Sequence, residues 1–379
     1  MCIRDRLIPA QILFFVSAYR CLFPVGYVKN IVLHDTIFSS IFLTRLLATF
    51  VEITYIYMVI GFTLAAYSVV ANDSVQTLGT FIASNSENFK WYVLAGAASL
   101  VLCLTLLNGW YFHGDISYGR LNKIPFQEIK WYHAAAPGFL LLLTRFGIPV
   151  STTFLVLSAF ASTVVLEKVL VKSVIGYALA AVIAYTLWIV LSRYINEKFD
   201  VVKNPERWRV FQWLTTGFLW YTWLSHDMAN IAVFLPRDLP FVMLLGIMGL
   251  LTFLLFYIFY EKGGRIQSIV LEKRGTRFIR SATIIDGVYA FILLYFKYYN
   301  DIPMSTTWVF VGLLCGRELA IATVVSDYKL GYVFPIIGKD FLKMIMGLTV
   351  SVAIVLAIHY VIIPGGYEDI NISLAWLRL

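Results

Sequence analysis

The chain has 379 residues, of which 60% are hydrophobic, 16% aromatic and only 14% charged. A soluble globular domain is typically about 45–50% apolar and about 25% charged, so this composition excludes a soluble enzyme, a disordered protein and a secreted disulfide scaffold. The formal net charge is +8, and a basic excess in a membrane protein usually reflects cytoplasmic loops that face anionic lipid. No loop combines basic and aromatic residues in a patch, so the sequence does not predict nucleic-acid binding. We therefore expect an integral, multi-pass protein of an inner or plasma membrane.

The first six residues are excluded from the predicted elements. Residues 1–6 (MCIRDR) do not fit a signal peptide and are interpreted as a sequencing or cloning scar, so that the natural N-terminus is missing. Apolar runs of about 17–25 residues then predict membrane-spanning helices. One run, 7–28, is interrupted by Arg20 and Pro24. The clear runs are 47–71, 92–112, 173–192, 240–260, 283–299 and 343–363.

Four further apolar segments contain Asp, Ser-Thr-Thr, Pro or Gly and are predicted to be broken or re-entrant helices. They bring the expected total to about 10–12 transmembrane segments, each of the length that a bilayer requires. The polar stretch 72–91 is interpreted as a non-cytoplasmic connection, and the basic stretch 193–210 as a cytoplasmic one. The broken segments are 31–46, 132–165, 211–236 and 302–325.

Two motifs occur twice in the same order, which predicts an internal duplication. The pair His34-Asp35 recurs as His226-Asp227 at an offset of 192, and Ser-Thr-Thr at 151–153 recurs at 305–307 at an offset of 154. The difference of 38 residues predicts extra length in the first copy, within 72–131. The predicted organisation is a first transmembrane repeat at 7–192, a cytoplasmic connecting loop at 193–210 and a second transmembrane repeat at 211–379.

Duplicated halves with interrupted helices at matching positions are typical of secondary transporters. A helix that starts within the membrane offers free backbone N–H groups and a positive end, which favour an anion. The Pro-x-Ser-Thr-Thr segments suit such a start, because Pro favours a first helical turn and the hydroxyls add donors. An intramembrane Asp indicates function, so Asp35 and Asp227 are expected to bind a cation or carry a proton. The alternatives are hydroxyls that pack between helices and an Asp that caps a helix.

The residues Pro-Val-Ser-Thr-Thr at 149–153 and Asp-Met-Ala-Asn at 227–230 resemble motifs of the PiT-type inorganic phosphate transporters. That family carries a GANDVANA-like motif and a PVSTTH-like motif in each half, and the resemblance extends from about residue 30 to about residue 325. It implies an all-α membrane protein with two inverted-topology repeats. It also implies secondary active transport of phosphate by symport with sodium or, in some members, protons, and no enzymatic activity.

Carried over residue by residue, the resemblance implies a phosphate site and a cation site. The phosphate-binding hydroxyls are those of Ser151, Thr152, Thr153, Ser305, Thr306 and Thr307. The cation-coupling residues are Asp35, Asp227, Asn230, His34 and His226. Of these, Asp35, Asp227 and Asn230 would bind sodium, and no other cofactor is expected. The chain departs from the family where these two histidines replace Asn, and where Phe154 and Trp308 replace the His that ends the Ser-Thr-Thr motif. A His beside each Asp favours proton coupling.

Two other functions stay open. The same fold would serve for sulfate or another oxyanion, and an intramembrane metalloenzyme would use the His34-Asp35 and His226-Asp227 pairs as metal ligands. The expected partners are inorganic phosphate, sodium or protons, and the lipid bilayer, and a homodimer is left open. Arg237 is interpreted as an interfacial arginine that snorkels. Arg317-Glu318 is interpreted as a structural ion pair.

Overall fold

The computed structural model of the chain describes residues 53–124, 126–148, 150–160, 163–194, 204–264, 266–272, 278–299, 305–324, 330–358 and 362. The chain divides into two compact units, Met1–Tyr55 and Ile56–Leu379. Of the first unit only residues 53–55, the start of the first helix below, are described. The predicted scar 1–6, the predicted span 7–28 and the predicted cation-site residues His34 and Asp35 lie outside the described residues.

The described residues form α-helices and short helical turns, without a strand. In chain order the helices are α1 (Ile53–Asn85), α2 (Trp91–His113), α3 (Trp131–Arg145), α4 (Thr152–Leu155), α5 (Thr163–Tyr194), α6 (Pro205–Asp227), α7 (Ala229–Ala232), α8 (Phe241–Tyr260), α9 (Gln267–Leu271), α10 (Ile279–Tyr299), α11 (Thr306–Val324) and α12 (Leu330–Ala357). The all-α fold predicted from the sequence is confirmed.

Seven of these helices are long and apolar enough to cross a membrane, namely α1, α2, α5, α8, α10, α11 and α12. All six clear apolar runs of the sequence correspond to one of them. The prediction that 72–91 is a connection between spans is wrong, because α1 continues as far as Asn85. Two of its polar side chains, Thr80 and Asn85, hydrogen-bond to buried partners on other helices.

The breaks predicted in two apolar segments are confirmed. Within 132–165, α3 ends at Arg145, the single turn of α4 follows, and α5 begins only at Thr163. Within 211–236, α6 ends at Asp227 and α7 begins at Ala229. Helix α5 ends at Tyr194 and α6 begins at Pro205. Both helices therefore extend into the predicted connection 193–210.

Large apolar side chains cover the outer faces of several long helices. Leu104 on α2 is 58% exposed, Val182 on α5 is 62% exposed and Phe253 on α8 is 68% exposed. Surfaces of this kind suit contact with lipid tails and not with water. One charged pair lies inside the helix bundle. Arg317 and Glu318 on α11 are both buried and form the predicted ion pair, with 2.7 Å between Nη1 and Oε1.

The helices pack as two groups. One group contains α1, α2, α6, α8, α9 and α10, with the most extensive contact between α6 and α10. The other contains α4, α5, α11 and α12, and a separate small core of Phe154, Val169, Trp308 and Met344 joins its four members. Helix α10 also contacts α11. The functional site described below lies where these two groups meet.

Helices α5 and α11 approach each other unusually closely. A Cβ atom built on Gly316 would lie 2.0 Å from the carbonyl oxygen of Ala181, and one built on Gly312 would lie 2.3 Å from the carbonyl oxygen of Tyr177. Two glycines four residues apart on one helix face allow backbones in a membrane to touch. The glycine spacing in α11 therefore explains the tight pairing of these two helices.

A second buried polar cluster links α1, α6 and α10. The carboxylate of Asp286 accepts hydrogen bonds from Thr80 Oγ1 at 2.6 Å and from Thr216 Oγ1 at 2.5 Å. One turn further along α1, Asn85 Nδ2 donates to Gln212 Oε1 at 2.8 Å. These contacts satisfy polar groups that would otherwise be costly inside a membrane.

Candidate functional site

An aspartate on α1 contacts the first Ser-Thr-Thr segment. A π-helical turn, Val69–Asp73, interrupts α1 and ends at Asp73; such turns are frequent at functional sites. Thr152 Oγ1 donates to Asp73 Oδ2 at 2.6 Å. The Nδ2 group of Asn72 lies 2.6 Å from Asp73 Oδ1 and donates to the carbonyl oxygen of Val150 at 2.5 Å. Asp73 is thereby joined to the start of α4.

The same arrangement occurs in the second half of the chain. Thr306, the first residue of α11, donates its hydroxyl hydrogen to Asp227 Oδ2, where α6 ends. Trp223 Nε1 donates to the Thr306 hydroxyl at 3.2 Å, and the Tyr289 hydroxyl donates to the Thr306 carbonyl oxygen at 2.9 Å. Each half therefore places one buried carboxylate against one threonine at a helix start.

The two aspartate–threonine pairs have the same spacing in the sequence. Asp73 and Thr152 are 79 residues apart, and so are Asp227 and Thr306. One offset of 154 therefore relates both aspartates and both threonines, and the predicted insertion of 38 residues between them is wrong. The offset of 192 depends on five scattered identities, the His-Asp pair at 34–35, Phe-Leu at 42–43 and an Arg at 45, and such a sparse pattern does not fix the register.

A single amide connects the two halves of the site. Asn230 Nδ2 lies 2.9 Å from Thr152 Oγ1 and 3.3 Å from Thr153 Oγ1. Asn230 follows Asp227 by three residues on α7, whereas both threonines belong to α4 in the first half. The predicted cation-site residue and two of the predicted phosphate-site residues are thus brought into direct contact.

The serines of the two motifs have a different role from the threonines. Ser151 Oγ accepts a hydrogen bond from the backbone N–H of Phe154, and Ser305 Oγ accepts one from the backbone N–H of Trp308. Both serines therefore cap the helices that begin with the threonines. The capping interpretation accounts for Ser151 and Ser305 in this conformation, while the hydroxyls of Thr152 and Thr306 bond the carboxylates.

The site is closed in this structure. The exposed fraction is at most 5% for every described residue of the two motifs. These residues are Asp73, Ser151, Thr152, Thr153, His226, Asp227, Asn230, Ser305, Thr306 and Thr307. A ligand enters such a site only when the surrounding helices move.

Two oxygen atoms on the Asp73 side have no hydrogen-bond partner among the described residues. They are Asn72 Oδ1 and Gln76 Oε1, and the Nε2 atom of Gln76 is also without one. Gln76 is only 3% exposed and lies three residues after Asp73, as Asn230 lies three residues after Asp227. Buried polar atoms without a partner are costly, and oxygen atoms around a carboxylate are the ligands that sodium takes in transporters. The donor set fits a bound cation.

His226 does not bind the same groups as Asp227. Its Nε2 atom lies 2.7 Å from the carbonyl oxygen of Leu293 on α10 and 3.5 Å from Arg120 Nη2. Arg120 opens a 3₁₀ turn, Arg120–Lys123, between α2 and α3. The prediction that His226 serves the cation site stays a prediction, because the ring contacts the carbonyl and the guanidinium.

Arg237 holds this turn instead of snorkelling to an interface. Its Nη1 donates to the carbonyl oxygen of Leu121 and its Nη2 to that of Ile124, both at 3.0 Å. Burial lowers the pKa of Arg237 from its usual value, and the nearby carboxylate of Asp115 opposes this effect. The interpretation of Arg237 as an interfacial residue is not supported by these contacts.

The sequence analysis missed Asp73 and Gln76. Ala-Asn-Asp at 71–73 matches the GANDVANA-like motif more closely than His-Asp at 34–35 does, and the offset of 154 carries Asp73 onto Asp227. Applying that offset to the whole chain would have found both residues. Among the described residues no group of three or more His, Cys, Asp or Glu side chains is placed to hold a metal ion, and the His34-Asp35 pair lies outside them.

Two comparisons with known proteins found similar proteins, and both of these are named as phosphate permeases or transporters. A curated protein of Pyrococcus furiosus named "Putative phosphate permease" is 24% identical over 251 residues, and the match covers 59% of this chain and 55% of that protein. A solved structure named "The sodium-dependent phosphate transporter" aligns with a TM-score of 0.55 and 18% identity, covering 81% of this chain and 99% of its own. The resemblance to PiT-type phosphate permeases is confirmed. No protein-family profile matches the chain.

The chain is an integral, multi-pass membrane protein with the fold of that solved transporter. The names of both relatives describe transporters and not enzymes. The chain matches about half of the length of the Pyrococcus furiosus protein. The transported substrate and its coupling ion therefore belong to the proposal that follows.

Proposed function

We propose that the chain is a secondary active transporter that moves inorganic phosphate across the membrane by symport with a cation. The observation that carries this proposal is the duplicated contact between a buried Asp and a buried Thr, Asp73 with Thr152 and Asp227 with Thr306, joined by Asn230. Both relatives are named for phosphate, and one is named for sodium.

The threonine side of the site suits a tetrahedral oxyanion. Hydroxyls and an amide are neutral donors that can turn from a carboxylate to an incoming oxygen atom. The start of α11, a helix of 19 residues, adds backbone N–H groups and a partial positive charge beside Thr306 and Thr307. Phosphate would bind between Thr152 and Thr153 on one side and Thr306 and Thr307 on the other.

The carboxylate side of the site explains why a cation must accompany the anion. Asp73 and Asp227 are both buried, and Thr152 links Asp73 to Asn230, three residues after Asp227. Bringing phosphate between two buried carboxylates adds further negative charge in a low dielectric, which is strongly unfavourable without compensation. Sodium or protons would supply that compensation, and sodium also fits the oxygen atoms of Asn72 and Gln76, which have no hydrogen-bond partner among the described residues.

The position of the site supports alternating access. Asp73 and Asp227 belong to the helix group of α1 and α6, whereas Thr152 and Thr306 belong to the group of α4 and α11. Relative movement of the two groups would expose the closed site to one side of the membrane and then to the other. Two repeats of inverted topology would make the two exposed states nearly equivalent.

Phosphate uptake into proteoliposomes tests the proposal, with imposed sodium or proton gradients and an excess of sulfate as competitor. Thr306→Val removes a hydroxyl that bonds a carboxylate, a contact worth about 1.5–3 kcal/mol, so uptake should fall about 10- to 150-fold. Thr216→Val is the matched control, since Thr216 also bonds a buried carboxylate but lies outside the site.

The expected result is uptake that one gradient drives and that sulfate does not inhibit. Thr306→Val should lower this uptake about 10- to 150-fold, and Thr216→Val should retain it. Competition by sulfate at equal concentration would assign the site to a broader class of oxyanions. Folded protein that takes up no phosphate under either gradient would refute the proposal.

A further inference from the structure

The two halves of the site differ in charge although their motifs are duplicated. Among the described residues, Asp73 is hydrogen-bonded only by neutral groups, the amide of Asn72 and the hydroxyl of Thr152. Asp227 is bonded by Thr306 and directly follows His226, whose Nε2 lies 3.5 Å from Nη2 of the buried Arg120. Among the described residues, a cation of the protein therefore lies against the neighbour of one carboxylate, and the hydrogen-bond partners of the other are all neutral.

Arg120 is buried against the residue that precedes Asp227. Its side chain is in the core, with 6% of the residue exposed, and Nη2 lies 3.5 Å from Nε2 of His226. The same Nε2 lies 2.7 Å from the carbonyl oxygen of Leu293, which can only accept, so Nε2 carries a hydrogen and donates it there. The guanidinium thus packs beside the imidazole ring of the residue that precedes Asp227 in the chain.

The turn that carries Arg120 is fixed by hydrogen bonds that connect it, and the end of α2 before it, to the segment 237–239. Arg237 donates to the carbonyl oxygens of Leu121 and Ile124. Trp110 Nε1, at the end of α2, donates to the carbonyl oxygen of Leu239 at 2.8 Å, which ties the segment before the turn to the segment that carries Arg237. Because the guanidinium is already held in one position, substrate binding does not have to include the entropic cost of ordering its side chain.

The side-chain amides three residues after the two aspartates also differ between the two halves, in their hydrogen bonding. Gln76 and Asn230 occupy equivalent positions at the offset of 154. Both amide atoms of Gln76 are without a partner among the described residues, whereas the Nδ2 group of Asn230 is bonded to Thr152 and Thr153. Free oxygen ligands are therefore available beside Asp73, where no fixed cation is found among the described residues.

We propose that Arg120 is a permanent counter-charge for Asp227 that replaces a bound sodium ion in the second half, so that sodium binds on the Asp73 side. The inference rests on the proposed function in that it assumes a site where cations and phosphate bind together. A guanidinium stays charged at any physiological pH and cannot leave. The chain then needs one sodium ion fewer per phosphate than a site with a mobile cation at each aspartate.

The experiment measures phosphate binding by calorimetry at several sodium concentrations, with choline chloride keeping the ionic strength constant. The slope of log affinity against log sodium concentration counts the sodium ions bound with each phosphate. Asp73→Asn should lower this slope by about one, and Asp227→Asn should leave it unchanged, because by linkage only a residue that holds sodium changes the count. Equal losses in the two variants would overturn the inference.

Arg120 itself is tested by charge removal and rescue. Arg120→Gln should raise the slope by about one, since Asp227 then recruits a sodium ion, and Arg120→Gln/Asp227→Asn should return it to the wild-type value. Lys130→Gln, which removes an exposed charge from the same region, is the control and should not change the slope. An unchanged slope in Arg120→Gln, or a zero slope in the wild type, would overturn the inference.

Sodium binding without phosphate separates this inference from the proposed function. Thermal stabilisation by sodium chloride over choline chloride should be lost in Asp73→Asn and kept in Asp227→Asn. If the wild type binds no phosphate at any sodium concentration, the proposed function fails, and this stabilisation alone decides where sodium binds. If neither or both variants lose the stabilisation, the inference is wrong.

Discussion

The close packing of α5 and α11 makes a sharp prediction about Gly316. Non-bonded heavy atoms pack at about 3.5–4.0 Å, and a Cβ at Gly316 would lie 2.0 Å from the Ala181 carbonyl oxygen, so Gly316→Ala must separate the backbones by about 1.5 Å. Overpacking of a tight core costs about 1–3 kcal/mol. The separation would also lengthen the hydrogen bond from the Ser305 N–H to Ser173 Oγ, now 2.8 Å, beyond its useful range.

The assay is thermal unfolding of the purified protein in detergent, followed by sodium-dependent phosphate binding. Gly249→Ala on α8 is the matched control, because a Cβ there meets no atom within 4 Å. That control should be neutral, or more stable by up to about 1 kcal/mol from helix propensity, whereas Gly316→Ala should be less stable and bind phosphate more weakly. Equal stability of the two variants would refute the reasoning that backbone contact holds α5 to α11.

Three further predictions concern single side chains. Asn230→Leu removes the hydrogen bonds from Asn230 to Thr152 and Thr153, worth about 1–3 kcal/mol for a buried group, so the KM for phosphate uptake should rise about 5- to 150-fold. An unchanged KM would contradict the bridging role. Arg237→Gln should lower the unfolding free energy by about 1–2 kcal/mol, measured by thermal unfolding, because two carbonyl oxygens lose a charged donor. Asp286→Asn keeps its shape and one acceptor, so the sodium concentration for half-maximal uptake should stay within about twofold of wild type. Asp73→Asn should raise that concentration by up to about a thousandfold, since a unit charge near a cation is worth about 4 kcal/mol. A similar shift in both Asp variants would show that Asp73 has no special role.

The long apolar helices and the duplicated Ser-Thr-Thr segments were predictable from the sequence, because both depend on local composition. The contact of Asn230 with Thr152 and Thr153 was only implied by the resemblance, since nothing local reports a contact between distant segments. The assignment of 72–91 failed for a related reason. Its Asn, Asp, Gln and Thr residues are polar enough for a loop, and only buried partners such as Asp286 and Gln212 allow them inside a helix bundle.

The position of Arg120 could not be predicted from the sequence. It lies in a polar segment between spans, and it reaches His226 through a turn that Arg237 holds by two carbonyl oxygens. Asp73 was different, since its signal was present in the letters Ala-Asn-Asp. A search for the longest consistent offset would have preferred it over the His-Asp pair at 34–35.

The glycine contact between α5 and α11 also has a consequence for timing. Two helices whose backbones touch cannot slide past each other, so they carry the start of α11 as one rigid body, while Asp73 and Asp227 stay with the other helix group. Any movement between the groups then stretches the bonds from Thr152 and Thr306 to their aspartates at the same moment. Release of the two halves of the site would be simultaneous, and spin labels that report each Asp–Thr distance should change with a single rate constant.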